Sequence, residues 1–359
     1  TVTDEYFVTI SGDDALPDMY IGRLPAQSAA DAAAMVNKII AYETGLNNGS
    51  WEKNVVLVAD DQTEAYEAVF ETINEDAAAL LPAKMVALKG YLNDYLLAGD
   101  LSTDITNWIN DGALIVNYSG HASLQQWASE AVFVNADVNT LTNTGRYPFF
   151  ISMSCLTGYF GYLDAASGPQ PSLAEQLLLA TDKGAVAALM PTCMTTTAGQ
   201  HILNNAVFET IFVNDIRELG PAIASAKQTL LANGDVYFEQ ISQTFLLFGD
   251  PAQTLKVPLP RMPTGVAAHW EKNNVRIRWN AALDSNGNAV AGYNIYRASA
   301  PAGPYSRVNT QPVTGTEFVD TEGAVGIAEG GGSGGSYYGV TAVDSFGDES
   351  AQSLGTVSY

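Results

Sequence analysis

Leu114-Ile-Val-Asn-Tyr-Ser-Gly-His121 is a hydrophobic run that closes on a small-residue turn and a histidine, and Phe149-Phe-Ile-Ser-Met-Ser-Cys155 repeats the arrangement with a cysteine. Short apolar runs rich in Val, Ile and Phe read as strands buried on both faces. Similar runs lie on either side and alternate with helical patterns. Strands are expected at Asn54–Ala59, Ala113–Tyr118, Pro148–Met153 and Ala185–Met190, and helices at Glu64–Leu81, Ile105–Asn110 and Ser172–Thr181. Two helix starts carry capping boxes, Ser28-Ala-Ala-Asp31 in an acidic form and Ser172-Leu-Ala-Glu175 in the standard form. Strands alternating with helices predict an α/β class, a mainly parallel sheet flanked by helices. In such sheets ligands bind outside the carboxyl ends of the strands, so His121 and Cys155 are expected over one crevice.

A thiol beside an imidazole is a nucleophile with its base, and the thiolate is the reactive form. A single strand-end cysteine is more often a small buried hydrophobe, and a single histidine a satisfied polar residue. The two at matched strand ends are what point to catalysis.

Lys256–Pro263 holds three prolines in eight residues and favours an extended connection. It divides the chain into residues 1–258 and 259–359. Beyond it, short alternating runs at Val275–Trp279, Gly292–Tyr296, Glu317–Asp320 and Tyr337–Val343 predict a small all-β sandwich of the immunoglobulin or fibronectin kind. Its aromatics Trp279, Tyr293, Tyr296 and Tyr338, and the segment Ala342-Val-Asp344 with Gly347-Asp-Glu-Ser350, resemble the core and last hairpin of fibronectin type III domains. A flexible loop is expected at Glu329–Ser336. The sandwich is expected to contribute no catalytic residue.

The 359 residues are 47% hydrophobic and 15% charged, the composition of a globular chain of two or three domains. Thirty-nine acids against 16 bases give −23, which repels phosphate backbones and argues against nucleic acid as a partner. Residues 1–260 hold 10 bases and 30 acids, a net −20, and residues 261–359 hold 6 and 9, a net −3. No apolar run reaches the length of about 18 residues that a membrane-spanning helix needs. Two cysteines make no disulfide framework, and the start Thr1-Val-Thr-Asp-Glu5, with no initiator Met or signal pattern, is that expected of a trimmed chain.

Taken together, the motifs resemble the gingipain-like cysteine peptidases, peptidase family C25 of the caspase-like clan. Asp18-Met-Tyr-Ile-Gly-Arg-Leu-Pro25 with Ala41-Tyr-Glu43 is similar to the family's opening segment, and Trp51–Asp61 to its first sheet strand. Asn117-Tyr-Ser-Gly-His-Ala-Ser123 with Trp127 resembles its histidine loop. Ser154-Cys-Leu-Thr-Gly-Tyr-Phe160 resembles its cysteine loop, and Leu247-Phe-Gly-Asp-Pro251 its closing motif. The resemblance spans nearly all of residues 17–257 and implies a caspase-like fold. It also implies a secreted or cell-surface bacterial cysteine endopeptidase that cleaves protein or peptide substrates through a Cys155–His121 dyad and a thioester acyl-enzyme. Two positions depart from the family pattern, Ala122 where Gly is usual and Ser154 where Ala is frequent. Both are small, so the Ala122 and Cys155 N–H groups stay available as an oxyanion hole.

The resemblance further implies an acid that orients the histidine, assigned to Asp61 with Asp60 second; both also suit a helix start. A primary pocket is expected from Pro191–Ala198, with Met194, Thr195 and Thr196 at its wall. Glu71 is the candidate acid for a preference for Arg or Lys. No cofactor is required by this chemistry. The acid clusters Asp13-Asp14 with Asp18, Asp60-Asp61, and Asp100 with Asp104 make structural calcium possible, whereas three histidines and two cysteines without ligand spacing disfavour zinc. Two other classes compete: an inactive peptidase-like surface binding or adhesion module, and a structural surface protein in which the sandwich does the work. Retention of both Cys155 and His121 favours the enzyme.

Overall fold

The computed structural model describes residues 2–12, 16–45, 51–166, 168–271, 274–323, 336–355 and 357–358. They form two compact units, Thr1–Val257 and Pro258–Tyr359.

Six strands make the main sheet of the first unit: Asn54–Ala59 (β1), Val86–Tyr91 (β2), Ile115–Ser119 (β3), Phe149–Met153 (β4), Ala187–Pro191 (β5) and Phe245–Phe248 (β6). Their order is β6-β5-β4-β3-β1-β2, with β1 to β5 parallel and β6 antiparallel to β5. Strands β3, β4 and β5 are buried at every position, as continuous apolar runs in a covered parallel sheet must be. Register sets the core. Val56, Val116, Phe150 and Ala188 lie opposite one another in a row across four strands. That row packs against Leu101, Ile105 and Ile109 of Ala98–Asp111 and Leu173 and Leu177 of Leu173–Leu179. The other face is covered by Val69–Ala79 and Thr197–Phe212, which pack side by side. With the remaining main helices, these are α1 (Ala29–Thr44), α2 (Val69–Ala79), α3 (Ala98–Asp111), α4 (Leu173–Leu179), α5 (Thr197–Phe212), α6 (Leu219–Ala232) and α7 (Val236–Thr244).

The caspase-like mainly parallel sheet flanked by helices is the architecture expected. Several bounds differ. The helix expected from Glu64 opens as a 3₁₀ turn over Ala65–Ala68 before α2, and Ile105–Asn110 is the end of the longer α3. Strand β2 has no clean apolar run, because Lys89 faces outward to Glu75 at an edge. Ser172 and Glu175 complete their capping box at α4, each accepting from the other's backbone N–H. At α1, Ser28 accepts from Asp31 N–H, but Asp31 turns back to Gln27 N–H instead of Ser28.

In the second unit Thr264–Glu271 (β7), Asn274–Asn280 (β8), Gly292–Ala298 (β9), Ser306–Arg307 (β10), Glu317–Asp320 (β11), Tyr337–Val343 (β12), Ser353–Gly355 (β13) and Val357–Ser358 (β14) form two four-stranded sheets, β11-β8-β7-β14 and β10-β9-β12-β13. All pairs are antiparallel except β7 with β14. Trp279, Tyr293, Ile295, Tyr338 and Val340 lie in the core between them, an immunoglobulin or fibronectin-like sandwich. Tyr296 does not join that core. Successive strand residues face opposite ways, so with Tyr293 and Ile295 inward Tyr296 faces out, and its hydroxyl donates to Glu349 Oε2 at 2.8 Å. Residues 329–335 of the expected flexible loop lie outside the described residues.

Candidate active site

The chain runs from β1 outward to β2 and then returns past β1 to β3 and β4, so the strand order reverses between β1 and β3. At such a switch point the loops leaving adjacent strands part and open a crevice at the carboxyl rim. Ser119 of β3 and Met153 of β4 are register partners. His121 and Cys155 each follow two residues later, on the same rim, one strand apart. Cys155 is partly buried, and the His121 side chain is 55% exposed and open to a ligand.

The histidine loop is fixed from three directions. Asp60 Oδ2 accepts the His121 N–H at 2.8 Å, and Tyr118 Oη and Ala128 N donate to the His121 carbonyl at 2.5 and 2.9 Å. Gly120 is required between them, because a Cβ there would lie 2.4 Å from Asp60 Cβ and 2.5 Å from Tyr118 Oη. The imidazole stands edge-on to Phe70, with ring centres 5.3 Å apart.

The ring's carboxylate is Glu67, with Oε1 2.8 Å from His121 Nε2. Its second oxygen accepts from Thr63 Oγ1 at 2.9 Å and Glu64 N–H at 2.7 Å. These donors, the imidazole first, hold the Glu67 carboxyl down to about 2, so it is an anion that only accepts. Nε2 therefore carries the hydrogen, and the lone pair of the neutral ring is on Nδ1. Helix α2 is seated by buried amides: Asn117 Nδ2 of β3 donates to Asn74 Oδ1, and Asn74 Nδ2 donates to Val58 O.

The cysteine turn places Leu156 at φ 62°, in the left-handed region. Leu156 N–H donates to Cys193 O at 3.2 Å, and Thr195 N–H donates to Cys155 Sγ at 3.5 Å. Beside Cys155 a buried chain of hydroxyls links Trp127 Nε1, Ser152, Ser154 and Thr157. Neither the Ala122 nor the Cys155 N–H is taken up by an acceptor among the described residues.

One assignment changes. Asp61 does not hold the ring; its carboxylate lies with those of Asp60 and Glu130, one oxygen of each within 4.8 Å of the others. Asp60, raised by burial and partly offset by the N–H groups of His121 and Asp61, serves the backbone of the histidine loop. Glu71 Oε1 accepts from Asn93 Nδ2 at 2.8 Å, just beyond the end of β2. Thr195 turns its hydroxyl inward to Ser154 O at 2.7 Å, while Met194 and Thr196 are exposed.

Glu67 was legible in principle. It continues the buried α2 stripe Phe70, Asn74, Ala77, where a carboxylate without a partner would be costly. Of the acid clusters, Asp13 and Asp14 lie outside the described residues, Asp18 caps the Ile10 and Ser11 N–H groups, and Asp104 accepts from Tyr95. Asp60, Asp61 and Glu130 form an all-oxygen set of the kind calcium suits.

The family model described as Peptidase family C25 matches residues 1–256. The chain belongs to that family. Gingipain R2 of Porphyromonas gingivalis is 23% identical over 299 residues, covering 78% of this chain and 39% of the relative. Lys-gingipain HG66 of the same species is 28% identical over 197 residues, 52% of this chain and 10% of the relative. The crystal structure of the Arg specific cysteine proteinase gingipain R superposes with a TM-score of 0.59 at 18% identity, over 99% of this chain and 79% of that one. The complex of the pro- and mature domains of RgpB gives 0.60 at 17% identity, over 99% and 81%. The family C25 chain thus spans about two fifths of the length of gingipain R2 and shares the gingipain fold. No helix among the described residues is long and apolar enough to cross a membrane.

Proposed function

We propose that this family C25 chain is a cysteine endopeptidase unit, with Cys155 as nucleophile, His121 as general base and acid, and Glu67 as the group that orients the imidazole. The observation that carries the reading is the array across neighbouring strand ends: Glu67 on His121 Nε2, and His121 and Cys155 two residues beyond aligned strand partners. The Cys155 thiol gives its proton to Nδ1 as sulfur attacks the scissile carbonyl. The imidazolium then lies against the Glu67 carboxylate, and the oxyanion is received by the N–H groups of Ala122 and Cys155. Collapse of the tetrahedral species breaks the C–N bond, His121 protonates the leaving amine, and a thioester remains. Water, deprotonated by His121, attacks the thioester and releases the acid and the thiol.

Membership of the family supports protein substrates and secretion or surface display as parts of this reading. Glu71 is the acid to test for a preference for Arg or Lys, and Met194 and Thr196 are exposed at the wall. The three carboxylates at Asp60, Asp61 and Glu130 would hold calcium as a brace for the histidine loop, and no step above is routed through it. Retention of Cys155 and His121, with Glu67 on the His121 ring, supports the enzyme over the inactive-module alternative. Hydrolysis of fluorescein-labelled casein by the wild type, lost in Cys155→Ala and in His121→Ala, is the expected result. Equal hydrolysis by wild type and Cys155→Ala, or none by either, overturns the reading.

A further inference from the structure

Two peptide planes have to present their N–H groups to one point if Ala122 and Cys155 form an oxyanion hole. In a planar trans peptide the C=O of one residue and the N–H of the next point in opposite directions. Fixing the carbonyl of Ser154 therefore fixes the direction of the Cys155 N–H, and fixing that of His121 fixes the Ala122 N–H.

Both carbonyls are gripped twice. His121 O takes Tyr118 Oη and Ala128 N–H. Ser154 O takes Thr195 Oγ1 at 2.7 Å and Gln200 Nε2 at 3.0 Å, and Gln200 Nε2 lies 2.7 Å from Thr195 Oγ1. Because a carbonyl can only accept, the Gln200 amide must turn its nitrogen toward Ser154. Gln200 is 3% exposed and lies in the first turn of α5, so its side chain is held by packing on the rigid helix. Thr195, just before that helix, contributes both its hydroxyl to Ser154 O and its N–H to Cys155 Sγ.

We propose that Gln200 and Thr195 are positioning residues that aim the Cys155 N–H into the oxyanion hole by clamping the carbonyl on the other side of its peptide plane. The inference rests on the peptidase reading above and deepens it. In this role each acts through the Ser154–Cys155 peptide and not on the substrate itself. A loosened clamp lets that plane rock, which weakens the hydrogen bond formed in the transition state and leaves substrate binding nearly as it was.

Thr195→Val and Gln200→Met keep shape and remove one donor each, and Thr195→Ser keeps the hydroxyl. The substrate is the member of a fluorogenic peptide library, varied at P1, that wild type cleaves fastest. The expected loss in kcat is on the order of tenfold for Thr195→Val and for Gln200→Met, less than that for losing an oxyanion donor outright, with KM within about twofold. Thr195→Ser should stay near wild type. Iodoacetamide alkylates sulfur by displacement at a saturated carbon and forms no oxyanion, so the alkylation rate of Cys155 should hold within about twofold in every variant. An unchanged kcat overturns the proposal, and so does a parallel fall in alkylation, which would mean that the thiol or the fold has been disturbed. Thr195→Val decides the matter if Gln200→Met does not fold. A wild type that is inert to both probes would instead remove the peptidase reading itself.

Discussion

At the residue scale, the acid on His121 Nε2 distinguishes the proposed site from a chance meeting of thiol and imidazole. Glu67→Gln keeps a hydrogen-bond acceptor but removes the charge that would face the imidazolium, and it permits the wrong tautomer. A loss in kcat of roughly tenfold or more is expected, smaller than that for Cys155→Ala. Stability carries a second signature. A carboxyl whose pKa falls on folding stabilises the fold above its unfolded value and loses that contribution as pH drops through its folded value. For Glu67 the window runs from 4.5 down to about 2. The stability of wild type relative to Glu67→Gln, read from urea unfolding, should be constant above that window and decline within it; a decline centred near neutral pH would implicate another group. Asp61 was the sequence's candidate because the pair Asp60-Asp61 after β1 falls where the family resemblance puts the orienting acid. The acid that reaches the ring comes instead from the following 3₁₀ turn, whose Glu64–Glu67 geometry is set by backbone hydrogen bonds that a linear pattern does not display.

At the element scale, the strands that carry chemistry were readable because β1, β3, β4 and β5 are short, mostly apolar runs that are almost wholly buried, a pattern that marks covered strands. Edge strand β2 was not, since its Lys89 and its half-exposed positions break the run. Helix α5 was hidden for the opposite reason: it is buried on nearly all sides, Gly199, Gln200, Leu203, Asn204 and Val207 among them, and shows no amphipathic period. Packing between helices brings one more test. Lys38 of α1 is buried and donates to the carbonyls of Leu177 and Lys183, tying α1 to the end of α4 and the turn beyond. Burial lowers its pKa from 10.5 to about 7. Between those values the unfolded chain binds more protons than the folded one, so this group makes stability rise with pH. Lys38→Met removes that slope. Its stability relative to wild type should fall as pH is raised from about 7 to 10, measured by urea unfolding at each pH; a pH-independent difference would mean that the lysine does not titrate there.

At the scale of the whole molecule, the two units keep separate cores, and every residue of the proposed site lies before Val257. The sandwich has its own aromatic centre at Trp279, Tyr293 and Tyr338. A chain ending at Val257 is therefore expected to fold and to retain alkylation of Cys155 at a rate within about twofold of the full chain, because the core that seats β3, β4, α2 and α5 is intact. Retained circular dichroism with loss of labelling would instead assign the sandwich a part in shaping the site. The division between the units was legible from prolines, and the sandwich from its alternating strands, whereas the outward turn of Tyr296 depended on a register that only pairing defines.

The central proposal is that Cys155 is a thiol activated by His121, whose ring Glu67 holds. Iodoacetamide labelling with peptide mapping compares Cys155 directly with Cys193, the buried thiol of the same chain. The expected result is labelling of Cys155 ahead of Cys193, slowed on the order of tenfold or more in His121→Ala, since the thiolate is the reacting form. Equal labelling of the two cysteines in the native protein, or a rate at Cys155 that is indifferent to His121→Ala, would contradict it.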